Sequence, residues 1–284
     1  MRLFTLLSVS LLVTAVLAKA EEKSQFAELE GRAGSRIGLA AVDPSRNKRV
    51  EYRAQERFPM CSTFKVLAVA AVLKRVDEEK ENLDRFVRYD EAQLLEHAPV
   101  TREHVKEGGM KLEALCAAAI EQSDNTAANL LLDAISGPKG VTEFARTLGD
   151  NFTRLDRIEP ELNTAIAGDE RDTTTPVAMC KDLERLLTSD FLSTASRTRL
   201  ESWMHANETG LRMIRASVPA DWRVGDKTGR SGNGATNDIA VVHPPTGGPI
   251  LLAIYIIDPG EASEARDQLV AEVAKIALES LANQ

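Results

Sequence analysis

Four short clusters carry residue types that could do chemistry together: Ser62-Thr63-Phe64-Lys65, Ser123-Asp124-Asn125, Glu159-Pro160-Glu161-Leu162-Asn163 and Lys227-Thr228-Gly229. Each sets a hydroxyl beside a group that can move its proton, a carboxylate near an amide, or a cation beside a hydroxyl. Together they supply a nucleophile, two proton handlers, a base for water and a clamp for an anion. That is a full inventory for acyl transfer to water.

The first cluster carries the most physics. Ser62 opens the run Thr63 to Leu73, which is apolar on nearly every face and therefore predicts a buried helix. A serine at its N-terminus meets unpaired backbone N–H groups and the positive end of the helix dipole. Lys65 lies over the same turn, and desolvation there disfavours an ammonium, leaving an amine able to take the serine proton. An N-capping serine beside a snorkelling lysine would explain the pair alone. Ser-x-x-Lys arises by chance about once in a chain this long, and Ser-Asp-Asn or Lys-Thr-Gly in roughly one chain in twenty. The ordered set is what decides for chemistry.

Elements must then hold the clusters in place. Ile37 to Val42 and Lys48 to Tyr52 predict strands around a turn at Asp43 to Asn47. Trp222 to Asp226, Asp238 to His243 and Ile250 to Ile257 predict a second group of strands, and Ala262 to Leu281 an amphipathic helix. Residues 60–204 are helical in pattern, with a stripe at Leu112, Leu115, Cys116, Ala119 and Ile120 and a capped start at Thr175-Pro176. The fold class expected is α+β: an antiparallel sheet flanked by helices and built from both chain ends, 21–59 and 205–284, with an all-helical domain inserted at 60–204. Ser123-Asp124-Asn125 falls between two helical stretches, with Asp124 suited to an N-cap. Lys227-Thr228-Gly229 is expected to follow a strand on an edge facing the site, where a cation and a hydroxyl suit a carboxylate.

Residues 1–20 combine Arg2, an apolar run from Leu3 to Leu17 and Ala18-Lys19-Ala20, the pattern of a secretory signal cleaved near Ala20. The run is short for a bilayer span, and no other stretch approaches that length. Without those residues the cations fall from 35 to 33 against 43 acids, a net charge of −10. Such an acidic chain without basic clusters argues against nucleic acid or anionic membrane as partner. Cys61, Cys116 and Cys180 are odd in number and lie in apolar contexts, which predicts buried, unpaired thiols. His104, His205 and His243 show no metal-ligand spacing among themselves or with the cysteines, so no metal site is expected.

In this order the four clusters are the known signature of the class A serine β-lactamases, which the chain resembles over nearly its whole length after residue 20. The match includes the Arg157 to Asn163 and Asp169 to Thr174 stretches. The resemblance implies a periplasmic, monomeric enzyme without cofactor that opens the lactam ring of penicillins and cephalosporins. Ser62 would attack, with Lys65 or Glu159 (through a water) as acylation base, and Glu159 would activate the hydrolytic water, held also by Asn163. Ser123 would pass a proton to the lactam nitrogen, Asn125 would bind the substrate's side-chain amide, and Lys227-Thr228 its carboxylate. Gly229 admits close approach, and the Arg230 backbone N–H would complete an oxyanion hole with that of Ser62. An Ω-loop closed by ion pairing, with a cis Glu159–Pro160 bond, is implied too.

Departures from the family pattern are as informative as matches. Arg230 replaces a small residue, which puts substrate preference in doubt. Thr236 stands where some relatives carry an arginine, and Arg266 matches the alternative position for that anion clamp. His97 matches an aromatic position at the mouth of the cleft. Two family disulfides, from the positions of Cys61 and Cys116, lack their partners at Ser231 and Val69. A penicillin-binding D,D-peptidase shares three clusters but lacks Glu-x-x-x-Asn, and a drug-sensing domain would want a membrane segment.

Overall fold

Every residue from Ile250 to Ile257 is apolar, and a strand turns successive side chains to opposite faces. Such a strand is stable only where both faces are covered. In the computed structural model, which describes residues 23–258, 260 and 262–283, Leu251, Ala253 and Tyr255 enter one core. Ile250, Leu252, Ile254 and Ile256 enter another. The reading of residues 1–20 as a signal falls outside the described residues.

The first part of the chain runs from helical residues 23–33 (α1) into strands Arg36–Asp43 (β1), Lys48–Tyr52 (β2) and Phe58–Pro59 (β3). Helix Phe64–Asp77 (α2) follows, then strand Phe86–Arg88 (β4), helix Thr101–His104 (α3) and strand Gly109–Lys111 (β5). Helices Leu112–Glu121 (α4), Asn125–Ala134 (α5) and Pro138–Leu148 (α6) lead to strand Thr173–Thr174 (β6) and helices Pro176–Thr188 (α7) and Thr194–His205 (α8). Strands Arg223–Arg230 (β7), Ala235–His243 (β8) and Ile250–Ile257 (β9) and helix Ser263–Asn283 (α9) complete it.

Five strands form one antiparallel sheet in the order β2-β1-β9-β8-β7. The first and last parts of the chain thus share it, and β7 is an edge. One face is covered by α1 and α9 through Phe26, Leu29, Val270, Val273 and Ala277. The other packs on α7, beyond which α2 is surrounded by α4, α5, α6 and α8. Helix α2 is buried continuously from Phe64 to Leu73, as its lack of a polar face requires. The middle, 60–204, is therefore not all helical: it carries the ribbon of β4 with β5, and its β6 pairs with β3 at the end of the first part.

Start signals work locally as the residue types demand. The Thr175 hydroxyl accepts from Ala178 N at 3.2 Å, with Pro176 at the first helical position of α7. Cys61, Cys116 and Cys180 are buried and unpaired. No described helix is long and apolar enough to cross a membrane.

Candidate active site

Ser62 sits in a 3-10 turn, Cys61–Thr63, that runs directly into α2. The turn is entered through Cys61 in the left-handed region, φ 46°, and held by Thr63 Oγ1 donating to Met60 O at 2.8 Å. Lys65, on the first turn of α2, is fully buried. Its Nζ lies 2.8 Å from Ser123 O, 3.3 Å from Ser123 Oγ, 2.7 Å from Asn125 Oδ1 and 3.1 Å from Glu159 Oε1. Ser62 Oγ donates to that same Glu159 oxygen at 3.2 Å.

Burial dominates the Lys65 amine and pulls its pKa below the ordinary lysine value, although the Glu159 carboxylate pulls the other way. Desolvation outweighs attraction here, which favours the amine form a base requires.

Ser123 links the two lysines. It bridges α4 and α5 with φ 57°, and Asp124 next to it caps α5 by accepting from Ala127 N at 2.8 Å. Asp124 Oδ2 also accepts from Val100 N and Thr101 N, which anchors the bridge to the loop carrying His97. Lys227 Nζ donates to Ser123 Oγ at 2.9 Å and to Thr228 O at 2.8 Å. Desolvation, reinforced by the positive field of Lys65, brings the Lys227 pKa down to about 7.

Lys227-Thr228-Gly229 lies within β7 and not after a strand, because pairing with β8 continues to Arg230 opposite Thr236. Val and Ile content alone put the strand end at Asp226; the ladder's hydrogen bonds extend it through polar residues. Gly229 has a steric reason: a Cβ there would lie 2.7 Å from Met60 O and 3.1 Å from Ser62 N. The edge strand therefore runs against the Ser62 turn. Asp226 beneath it receives Asn207 Nδ2 at 2.6 Å and pairs with Arg215, while Thr228 Oγ1 meets Thr209 Oγ1 at 2.5 Å.

The loop bearing Glu159 is closed at its base by Arg157 and Asp172, 2.6 Å apart, and Asp172 O accepts from Met60 N. The Glu159–Pro160 bond is cis. Asn163 Nδ2 donates to Glu159 Oε2 at 2.5 Å, and Asn163 Oδ1, shielded from solvent, has no partner among the described residues. An acceptor is thus left open beside Glu159.

Sequence reasoning missed Asn129, which clamps Glu159 from both sides: Glu159 N donates to Asn129 Oδ1 at 3.0 Å and Asn129 Nδ2 to Glu159 O at 2.9 Å. Its signal was present, since Asn125 and Asn129 are one helical turn apart and share a face of α5. Asn233 Nδ2 donates to Thr164 O at 2.6 Å, joining the β7–β8 turn to the Glu159 loop.

Three further expected residues lie at the rim. Arg266 Nε donates to Thr236 Oγ1 at 3.0 Å, so the guanidinium stands beside the position it was expected to replace. The Arg230 side chain turns to α9, pairing with Asp267 at 2.6 Å and Ser263 at 2.8 Å. His97 is exposed; its ring nitrogen lies 3.1 Å from Gln122 O, and its carbonyl accepts from Asn125 N. Away from the cleft, the fold brings His205 and His243, which have no ligand spacing in sequence, onto one carboxylate, Glu201.

A model of the β-lactamase enzyme family matches residues 21–281. Beta-lactamase OXY-2 of Klebsiella oxytoca is 45% identical over 257 residues, spanning 90% of this chain and 88% of its own. Beta-lactamase CTX-M-8 of Citrobacter amalonaticus is also 45% identical, over 97% of this chain and 96% of its own. Among solved structures, the last common ancestor of Gram-negative bacteria β-lactamase class A superposes with a TM-score of 0.89 at 55% identity, over 91% of this chain and 98% of that one. A putative class A β-lactamase, PenP, from Rhodopseudomonas palustris gives 0.89 at 48% identity, over 92% and 99%.

Proposed function

The chain belongs to the class A β-lactamase family and hydrolyses the lactam ring of penicillins and cephalosporins through a serine acyl-enzyme, and from that premise we propose how its own residues divide the work. Ser62 Oγ attacks the lactam carbonyl. Its proton passes to the desolvated Lys65 amine, or to Glu159, which both touch one another. The developing oxyanion meets the backbone N–H groups of Ser62 and Arg230, fixed donors that need no reorganisation as charge appears.

Ser123 Oγ, contacted by both Lys65 and Lys227, relays a proton to the departing lactam nitrogen. Lys227 and Thr228, with Arg266 behind Thr236, take the carboxylate next to the ring. Asn125 binds the side-chain amide of the substrate, and His97 lines the mouth. Water then enters against Glu159, oriented by the open Asn163 oxygen, and hydrolyses the ester. Confers-resistance chemistry of this kind acts on small molecules and needs no cofactor.

Residues 1–20 support export to the periplasm. The partition into a sheet domain, 21–59 with 205–284, and a helical domain, 60–204, puts the site on their common boundary, where pockets tend to form.

The observation that carries the assignment is the shared oxygen: Ser62 Oγ and Lys65 Nζ both reach Glu159 Oε1, at 3.2 and 3.1 Å. Mass spectrometry of Ser62→Ala after adding a penicillin tests it. No covalent adduct and no turnover are expected; an adduct on another residue would overturn the assignment.

A further inference from the structure

Three potential metal ligands converge at the end of β7 remote from Lys227. Glu201 and His205 are one helical turn apart on α8, and His243 ends β8, opposite Arg223 in the β7 ladder. One ligand atom from each of the three lies within 4.8 Å of the others. Glu201 Oε1 is 3.1 Å from His205 Nε2 and 2.9 Å from His243 Nε2. A tetrahedral zinc ion with bonds of about 2.0–2.2 Å sets its ligand atoms roughly 3.3 Å apart, so two of the three edges are already near that length.

The hydrogen-bonding of the cluster without an ion is internally inconsistent. His205 Nε2 faces a donor, Arg223 Nη2 at 3.0 Å, and an acceptor, Glu201 Oε1 at 3.1 Å. A ring nitrogen carries either a proton or a lone pair and satisfies one of them. His243 Nε2, shielded from solvent, makes no hydrogen bond of acceptable geometry with the carboxylate beside it. Arg223, also 3.5 Å from Glu201, is a displaceable cover, with its side chain 71% exposed.

We propose that Glu201, His205 and His243 form a binding site for one divalent transition-metal ion of the zinc class, separate from the catalytic cleft. Two imidazoles and a carboxylate suit zinc, nickel or copper in preference to magnesium or calcium. The half-buried setting leaves a fourth position for water. The ion displaces the Arg223 guanidinium, whose charge opposes it.

Isothermal titration of the intact protein with zinc chloride, in chelator-free buffer, tests the site. One zinc per chain is expected. His243→Ala and His205→Ala should weaken binding by more than the roughly 10–100-fold that loss of an outer-shell partner costs. His104→Ala should change nothing, and Arg223→Ala should tighten binding by removing the competing cation. Penicillin turnover by each variant checks its folding. Should a histidine variant fail to fold, ring NMR signals of the unaltered protein decide: zinc must shift His205 and His243 and leave His104 in place. No saturable uptake, uptake indifferent to His243, or ring shifts confined to other histidines would overturn the proposal.

Discussion

Lys65 Nζ lies 3.1 Å from Glu159 Oε1, and both side chains are wholly removed from solvent. In the proposed mechanism this carboxylate can serve both half-reactions, and only the second has no other base. Glu159→Gln keeps the shape and one acceptor oxygen while removing basicity, with the other acceptor turned into a donor. With that variant, a penicillin adduct on Ser62 should persist in mass spectra, and deacylation should slow by about 10²–10⁴-fold, the usual value of a general base. Glu159→Ala should trap the same adduct with an added loss of stability, because it removes the one carboxylate beside the buried Lys65 and leaves it only the neutral oxygens of Ser123 and Asn125. Rapid turnover by Glu159→Gln would remove Glu159 from the deacylation step.

Asn129 holds the backbone of Glu159 by two hydrogen bonds, at 3.0 and 2.9 Å. Asn129→Ala should cost about 1–3 kcal/mol of stability, from two bonds of about 0.5–1.5 kcal/mol each. Its kinetic signature should be a burst of acylation followed by slower steady turnover, because the base moves while the nucleophile stays. Stopped-flow measurements separate the two phases. Equal slowing of both would mean that the asparagine supports the fold generally.

Gly229 stands where β7 passes the Ser62 turn, with Met60 O only 2.7 Å from the position a Cβ would take. That neighbour is backbone and cannot rotate away. Gly229→Ala should lower stability by about 1–3 kcal/mol, the range for overpacking, and lower kcat/KM for all substrates as β7 shifts from Ser62. Gly232→Ala, where nothing lies within 4 Å, serves as control. Full activity in Gly229→Ala would show that the strand can yield without disturbing the oxyanion donors.

The four candidate motifs were legible because each is local: a helix start, a helix junction, a loop and a strand each carry their own residues, and the fold brings them together. The sheet strands were legible too, since Ile250–Ile257 and its neighbours spell out burial on two faces. Less legible was anything made by polar pairing across the chain. The strand through Lys227 continued past its apolar part, because ladder hydrogen bonds do not depend on hydrophobicity. The Arg230 side chain put substrate preference in doubt, and its pairing with Asp267 on α9 was not visible in the sequence. Asn129 was hidden by ordinariness, and the meeting of His205 with His243 depends on α8 packing against β7, whose ladder sets His243 opposite Arg223, which no spacing along the chain reports.

Lys227 gives the site a pH dependence whose sign can be worked out. Burial, with Lys65 nearby, sets its pKa at about 7, so the free enzyme loses this positive charge as pH rises through neutrality. The carboxylate of the substrate stabilises the ammonium and raises the pKa in the complex. The alkaline limb of kcat/KM, which reports the free enzyme, should therefore begin near pH 7, while that of kcat begins higher. Lys227→Arg replaces the ammonium with a guanidinium that keeps its proton over this range, so the gap between the two limbs should close even if activity drops. The same burial makes the folded chain bind this proton less tightly than the unfolded chain, so the group's contribution to stability grows as pH rises above about 7. An alkaline limb of kcat/KM left unmoved in Lys227→Arg would assign that titration to another group, with Lys65, also shifted downward by burial, the first to be tested.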